Sequence, residues 1–145
     1  MKAYIVFLGF FIVGIFAVSF QGDLGRYQHE QLLLKEAAEE CAAGAALLVD
    51  EEAYADGKIV FDYEKGKEYV SDYLEYIKRN SKALTEGKVS YQIEFEDYNK
   101  GYSENNSSQI PAVTVIIDVM TEDLFKVPFI EVTSLERSAR YELPE

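Results

Sequence analysis

The sequence has no tryptophan, one cysteine, one histidine and three prolines among 145 residues. A lone cysteine, Cys41, excludes an intramolecular disulfide framework and a cysteine-based zinc site. A lone histidine, His29, removes most histidine-dependent active sites. Basic residues are also scarce. Fourteen Lys and Arg stand against 26 Asp and Glu, a formal net charge of −12. A chain of that sign has no basic face for phosphate contacts, which excludes a general nucleic-acid or anionic-lipid binder. No Gly-rich phosphate loop, H-E-x-x-H or G-x-S-x-G is present. No catalytic, metal-binding or cofactor-binding residue is nominated, and no cofactor or small-molecule substrate is expected.

The charge is unevenly placed. Residues 1–50 contribute −3 and residues 51–145 contribute −9. From Ala3 to Phe20, eighteen residues carry no charge at all. A helix needs about 20 apolar residues to cross a bilayer. Lys2 and the amino terminus precede this run and Asp23 follows it, so the positive-inside rule places the N-terminus in the cytoplasm and the rest outside. An alternative is a cleaved signal peptide, with Ala17-Val18-Ser19 as its small-x-small site. A third reading makes the run an unusually apolar core helix. The anchor is preferred, because the run exceeds most signal-peptide cores and helix-forming sequence follows closely. The division is therefore an anchor over residues 1–21 and an extracytoplasmic α+β head over residues 22–145.

Gln21-Gly22-Asp23-Leu24-Gly25 is a weak point, since each helical glycine costs about 1 kcal/mol relative to Ala. The span is expected to continue through it into an amphipathic helix, one rod of up to about 70 Å, with a bend there or Asp23 capping a fresh helix as the alternatives. Beyond it, Leu24, Tyr27, Gln31, Leu34, Ala38, Cys41, Ala45 and Leu48 follow one helical stripe, widened by Leu32, Leu33 and Ala37. Leu34, Ala38, Cys41, Ala45 and Leu48 are the candidates for packing this helix on a sheet, with the small run 42–46 allowing close approach. The helix is expected to end between Val49 and Tyr54. Lys58–Phe61 suggests an edge strand, and Asp62 an N-cap for a second helix near Tyr63–Asn80, with Tyr69, Val70, Tyr73, Leu74 and Ile77 inward.

The last part alternates like strands. Val89–Glu96 is strictly two-sided, and Val113, Val115, Ile117 and Val119 share one face. A third, less regular strand is expected from Phe129, and Asn99–Gln109 reads as a polar loop. Three antiparallel strands have an apolar face that needs a cover, which the Leu24–Val49 helix supplies.

This layout resembles type IV pilin-like proteins, and most closely TadE-like minor pilins or pseudopilins of Tad/Flp secretion systems. The resemblance is carried by the span Ala3–Phe20, by the helix Arg26-Tyr27-Gln28 continuing through Leu34-Lys35-Glu36-Ala37-Ala38-Glu39-Glu40-Cys41-Ala42-Ala43-Gly44-Ala45, and by Ala112–Met120 with the strand after it. It implies a non-enzymatic structural subunit of a surface filament or secretion assembly. Its partners would be membrane lipid, further copies of itself or other pilin-like subunits. Tyr4, Phe7, Leu8, Gly9, Phe11, Gly14 and Phe16 would form the membrane and assembly face. The chain departs from the pattern in lacking any Glu or Asp before Gln21, which fits an accessory subunit better than a major one. The competing reading is a secreted or tethered single-domain module that binds a ligand or protein. An exported hydrolase ranks third.

Isolated signals have plain readings. His29 beside Glu30 reads as a surface histidine. Cys41 reads as a small buried hydrophobe, with an interchain disulfide as the alternative. Asp97-Tyr98-Asn99-Lys100-Gly101 echoes the opening of a calcium loop, but its twelfth position is Ser108 rather than Glu, so a solvated hairpin loop is expected. Asn105 and Asn106 open glycosylation sequons.

Overall fold

The computed structural model describes residues 2–144. Met1, which carries the amino terminus of the expected positive start, and Glu145, the end of the expected head, lie outside the described residues. The chain is α+β, with a long N-terminal helix laid on a three-stranded antiparallel sheet. The elements are α1 (Lys2–Ala46), α2 (Glu51–Ala55), α3 (Tyr63–Lys78), α4 (Lys82–Glu86), β1 (Lys88–Glu96), β2 (Ala112–Met120) and β3 (Ser134–Glu142).

The sheet is a meander in the order β1-β2-β3. Its register pairs Phe95 and Tyr141 with Val113, and Val89 and Leu135 with Val119. The period-two pattern of β2 drives this arrangement. Val113, Val115, Ile117 and Val119 are fully buried under the helices. The third strand begins at Ser134, not Phe129. The intervening residues form a loop closed by Thr121 N–H to Thr133 C=O (2.9 Å) and Leu124 N–H to Val132 C=O (3.0 Å).

α1 runs 45 residues without a break, about 67 Å at the usual rise. The expected continuation of the span into the amphipathic helix holds through Gly22 and Gly25, and Asp23 is not a cap. Tertiary contacts hold that turn instead. The Phe125 ring lies 6.1 Å from Phe20 and 5.9 Å from Tyr27. The Asp23 carboxylate accepts the Lys126 and Val127 N–H groups at 2.7 and 3.0 Å. These contacts offset the glycine cost that local propensity alone would impose.

The helix ends at Ala46, earlier than expected. Asp50 lies beyond it and caps α2, accepting from Ala53 N–H at 2.9 Å. Leu48 lies beyond the helix and outside the core, so it takes no part in the helix–sheet contact. Lys58–Phe61 is not an edge strand. It returns beside Leu48–Asp50 through one bridge, Val49 to Phe61, with Asp50 N–H to Val60 C=O and Asp62 N–H to Leu48 C=O both at 2.8 Å. Asp62 is the N-cap of α3, accepting from Lys65 N–H.

Candidate membrane-anchoring and assembly surface

α1 carries two different surfaces. On its C-terminal half, Leu34, Ala37, Ala38, Cys41, Ala42, Ala45 and Ala46 are buried in one cluster with β2, α3 and Leu135. Leu32, expected to widen this stripe, is 54% exposed, because α3 and the sheet cover a narrower arc than the sequence pattern suggests. The small side chains serve a specific close approach, and the neighbour is α3 as well as the sheet. The Tyr69 ring rests on Gly44, where a Cβ would lie 2.0 Å from Tyr69 Cε1. The Tyr69 hydroxyl donates to Glu40 Oε1 at 3.2 Å. Burial beside Glu40 raises the Tyr69 pKa.

From Ala3 to Ser19 every residue of the helix is exposed. Tyr4, Phe7, Leu8, Phe11 and Phe16 are all exposed, and a Cβ on Gly9 or Gly14 would meet no atom within 4 Å. Phe7 and Phe11 stack on each other with centroids 6.4 Å apart. Phe10, Phe11, Gly14, Ile15, Val18 and Ser19 form a shallow apolar hollow opened by the missing Gly14 side chain. Among the described residues one helix is long and apolar enough to cross a membrane, and none of its most apolar eighteen-residue stretch is buried. That finding overturns the reading of this run as a core helix, whose residues would be covered.

The junction of the two surfaces is built by Asp23, which the sequence offered only as a cap. Its side chain is 3% exposed. Burial opposes its ionisation. The N–H groups of Lys126 and Val127 and the Arg26 guanidinium outweigh that effect and hold its pKa below the usual carboxylate value. Only a link 103 residues long in sequence reveals this role, so no local signal marks it.

Asp97, at the head of the polar loop after β1, has a structural use. The Asp97 carboxylate is fully buried and accepts from Phe61 N–H (3.0 Å), the Tyr63 hydroxyl (2.7 Å), Asn99 N–H (3.0 Å) and Lys100 N–H (2.8 Å). It joins the end of β1 to the start of α3. Burial, then the Asp97 charge, raises the Tyr63 pKa. Nearby, Glu96 pairs bidentately with Arg140 at 2.7 and 3.0 Å, tying β1 to β3 across β2. Its hydrogen bond from Arg140, opposed by burial and aided by Asn106, lowers its pKa to about 2. Asn106 is itself 8% exposed, with its amide committed to Glu96 and Ile110.

Cys41 is 0% exposed, and burial followed by the neighbouring Glu40 pushes its thiol to about 12. A thiol so placed is inert in the folded head. His29 is exposed on α1. Among the described residues no group of three His, Cys, Asp or Glu side chains is placed to hold a metal ion. The chain matches no family model, no curated protein and no solved structure.

Proposed function

We propose that this chain is a non-enzymatic, pilin-like or pseudopilin-like subunit of a surface filament or secretion assembly, anchored and assembled through its N-terminal helix. One observation carries the reading: a single unbroken helix, Lys2–Ala46, is bare and apolar from Ala3 to Ser19 and buried in the head along one face from Leu34 to Ala46. An apolar helix with no partner in its own chain requires lipid or neighbouring helices around it. An unbroken helix also transmits the packing of the span directly to the position of the head. Lys2 orients the N-terminus toward the cytoplasm, and the acidic residues after position 50 belong to an extracytoplasmic head. The absence of an acidic residue in the span fits an accessory rather than a major subunit.

The test uses the full chain in its native membrane. In a Cys41→Ala background, single cysteines are stepped from Tyr4 to Phe16 and oxidised. Assembly through this helix yields interchain disulfides that recur every three to four positions. If no position cross-links while the head stays folded, the assembly reading fails and a tethered binding module takes its place. The mass of the mature chain separates a retained anchor from cleavage after Ser19.

A further inference from the structure

The loop between β2 and β3 carries apolar surface that neither the core nor the span explains. Its tip, Val127-Pro128-Phe129-Ile130, has no charge. Phe129 is 104% exposed and Ile130 38% exposed. Phe129 also holds φ at +77°, the left-handed region that a bulky side chain adopts only when its surroundings impose it. Hydrogen bonds close the loop on both sides of it. The Asp123 carboxylate accepts from Phe125 and Val132 N–H groups at 3.0 and 2.9 Å, and Leu124 N–H bonds Val132 C=O. The strained backbone turns an aromatic ring away from all protein.

The height of this tip is set by α1. Asp23 binds the Lys126 and Val127 N–H groups, and Phe20 packs on Phe125. Asp23 stands three residues past Phe20, a rise of about 4.5 Å. The loop is therefore clamped at the level where the uncharged run ends. Aromatic side chains favour that interfacial level.

We infer that Val127–Ile130 is a second membrane contact, inserting Phe129 and Ile130 into the interfacial layer of a zwitterionic bilayer beside α1. The inference rests on the reading of Ala3–Phe20 as a span. A bilayer around that span surrounds α1 on every side at the height of the tip, whereas a second copy would meet it from one direction only. The nearby charges are Glu122, Asp123, Glu131 and Asp23 against Lys126 and Arg26. That balance gives no attraction to anionic headgroups, so the contact is apolar and interfacial. Its consequence is a fixed tilt and rotation of the head, since two points of contact orient a rod that one would leave free to swivel.

Because the chain has no tryptophan, single substitutions make clean reporters. Phe129→Trp, Phe11→Trp in the span and Tyr98→Trp in the loop after β1 are placed in the full chain and reconstituted in phosphatidylcholine vesicles, with and without bromine on the acyl chains. Phe129→Trp is expected to emit further to the blue than Tyr98→Trp. It should lose roughly half its emission to bromine placed high on the chain, consistent with insertion about 5–10 Å into the headgroup–acyl boundary. Phe11→Trp should respond to deeply placed bromine, and Tyr98→Trp to neither. If Phe129→Trp is quenched by aqueous iodide but not by bromine while Phe11→Trp is quenched by bromine, the tip contact is overturned and the span stands. If Phe11→Trp is also untouched by bromine, the span reading falls and this inference with it. If Phe129→Trp resists both quenchers until the chain is diluted to one copy per vesicle, the occupant is a second copy, and the lipid assignment is overturned.

Discussion

Replacing Asp97 by alanine removes one acceptor from four donors, and the structure ranks their costs. The Phe61 N–H belongs to a residue 1% exposed. Leaving a buried donor without a partner costs about 1–3 kcal/mol. The Tyr63 hydroxyl, 2.7 Å from Oδ2, loses a bond to a charged acceptor worth about 1.5–3 kcal/mol, part of which water recovers. The Asn99 and Lys100 N–H groups belong to exposed residues. Water replaces the carboxylate there, at about 0.5 kcal/mol or less each. Asp97→Ala should therefore destabilise the head by about 3–5 kcal/mol. Asp97→Asn keeps one acceptor but turns an NH2 group toward one of these donors, so its cost should be about 1–3 kcal/mol. Urea unfolding of the full chain in detergent, followed by tyrosine near-ultraviolet dichroism, measures both. A loss below about 1 kcal/mol for Asp97→Ala at unchanged m would refute the claim that this carboxylate joins β1 to α3. Calcium should not move the midpoint, because the protein's own donors already occupy both oxygens.

Other consequences follow from the same contacts. Glu96 has its pKa lowered from 4.5 to about 2, so its contribution is complete above the unfolded value and is lost as pH falls from about 4.5 toward 2. After discounting for a partner that is 33% exposed, that is about 1–2 kcal/mol, and Glu96→Gln should flatten the acid limb of the stability curve. Gly44→Ala places a methyl where the Tyr69 ring lies and should cost about 1–3 kcal/mol. In a Tyr69→Ala chain the same change should stabilise by up to about 1 kcal/mol through helix propensity alone, a reversal of sign that a double-mutant cycle detects. In the span, twelve Leu, Ile, Phe and Val residues lie between Ala3 and Phe20, worth about −4 to −7 kcal/mol of insertion, against about +3 for each central Lys. One Lys at Phe11 should leave the chain resistant to alkaline extraction, and a second at Ile12 should release it.

Patterns that repeat along the chain were readable without coordinates. The uncharged run, the heptad-like stripe through Leu34, Ala38, Cys41 and Ala45, and the alternation in β1 and β2 each sum many weak preferences in one direction. The Asp62 cap was readable too, because its bond spans three residues. Short elements were not. α2 and α4 have five residues each, too few for a period to show. α4 depends on Ser81, which accepts Leu84 N–H at 3.0 Å and donates to Glu30 on α1. β3 could be expected but not located, because its burial is irregular and its start is set by the loop that Asp23 clamps.

Composition and spacing suffice to show that one end of this protein is apolar on every side, that a helix leads away from it, and that the acidic remainder folds as α+β. These are sums over local composition and spacing, and no distant residue alters them. What needed the folded chain is that Asp23 anchors the β2–β3 loop, that Gly44 is the seat of Tyr69, and that Asp97 links β1 to α3. Each of these depends on a partner far away in sequence: 103 residues for Lys126 at Asp23 and 36 for Phe61 at Asp97. A hydrogen bond or a close contact between such positions leaves no period and no motif in the chain. It exists only once the sheet and the helix have met.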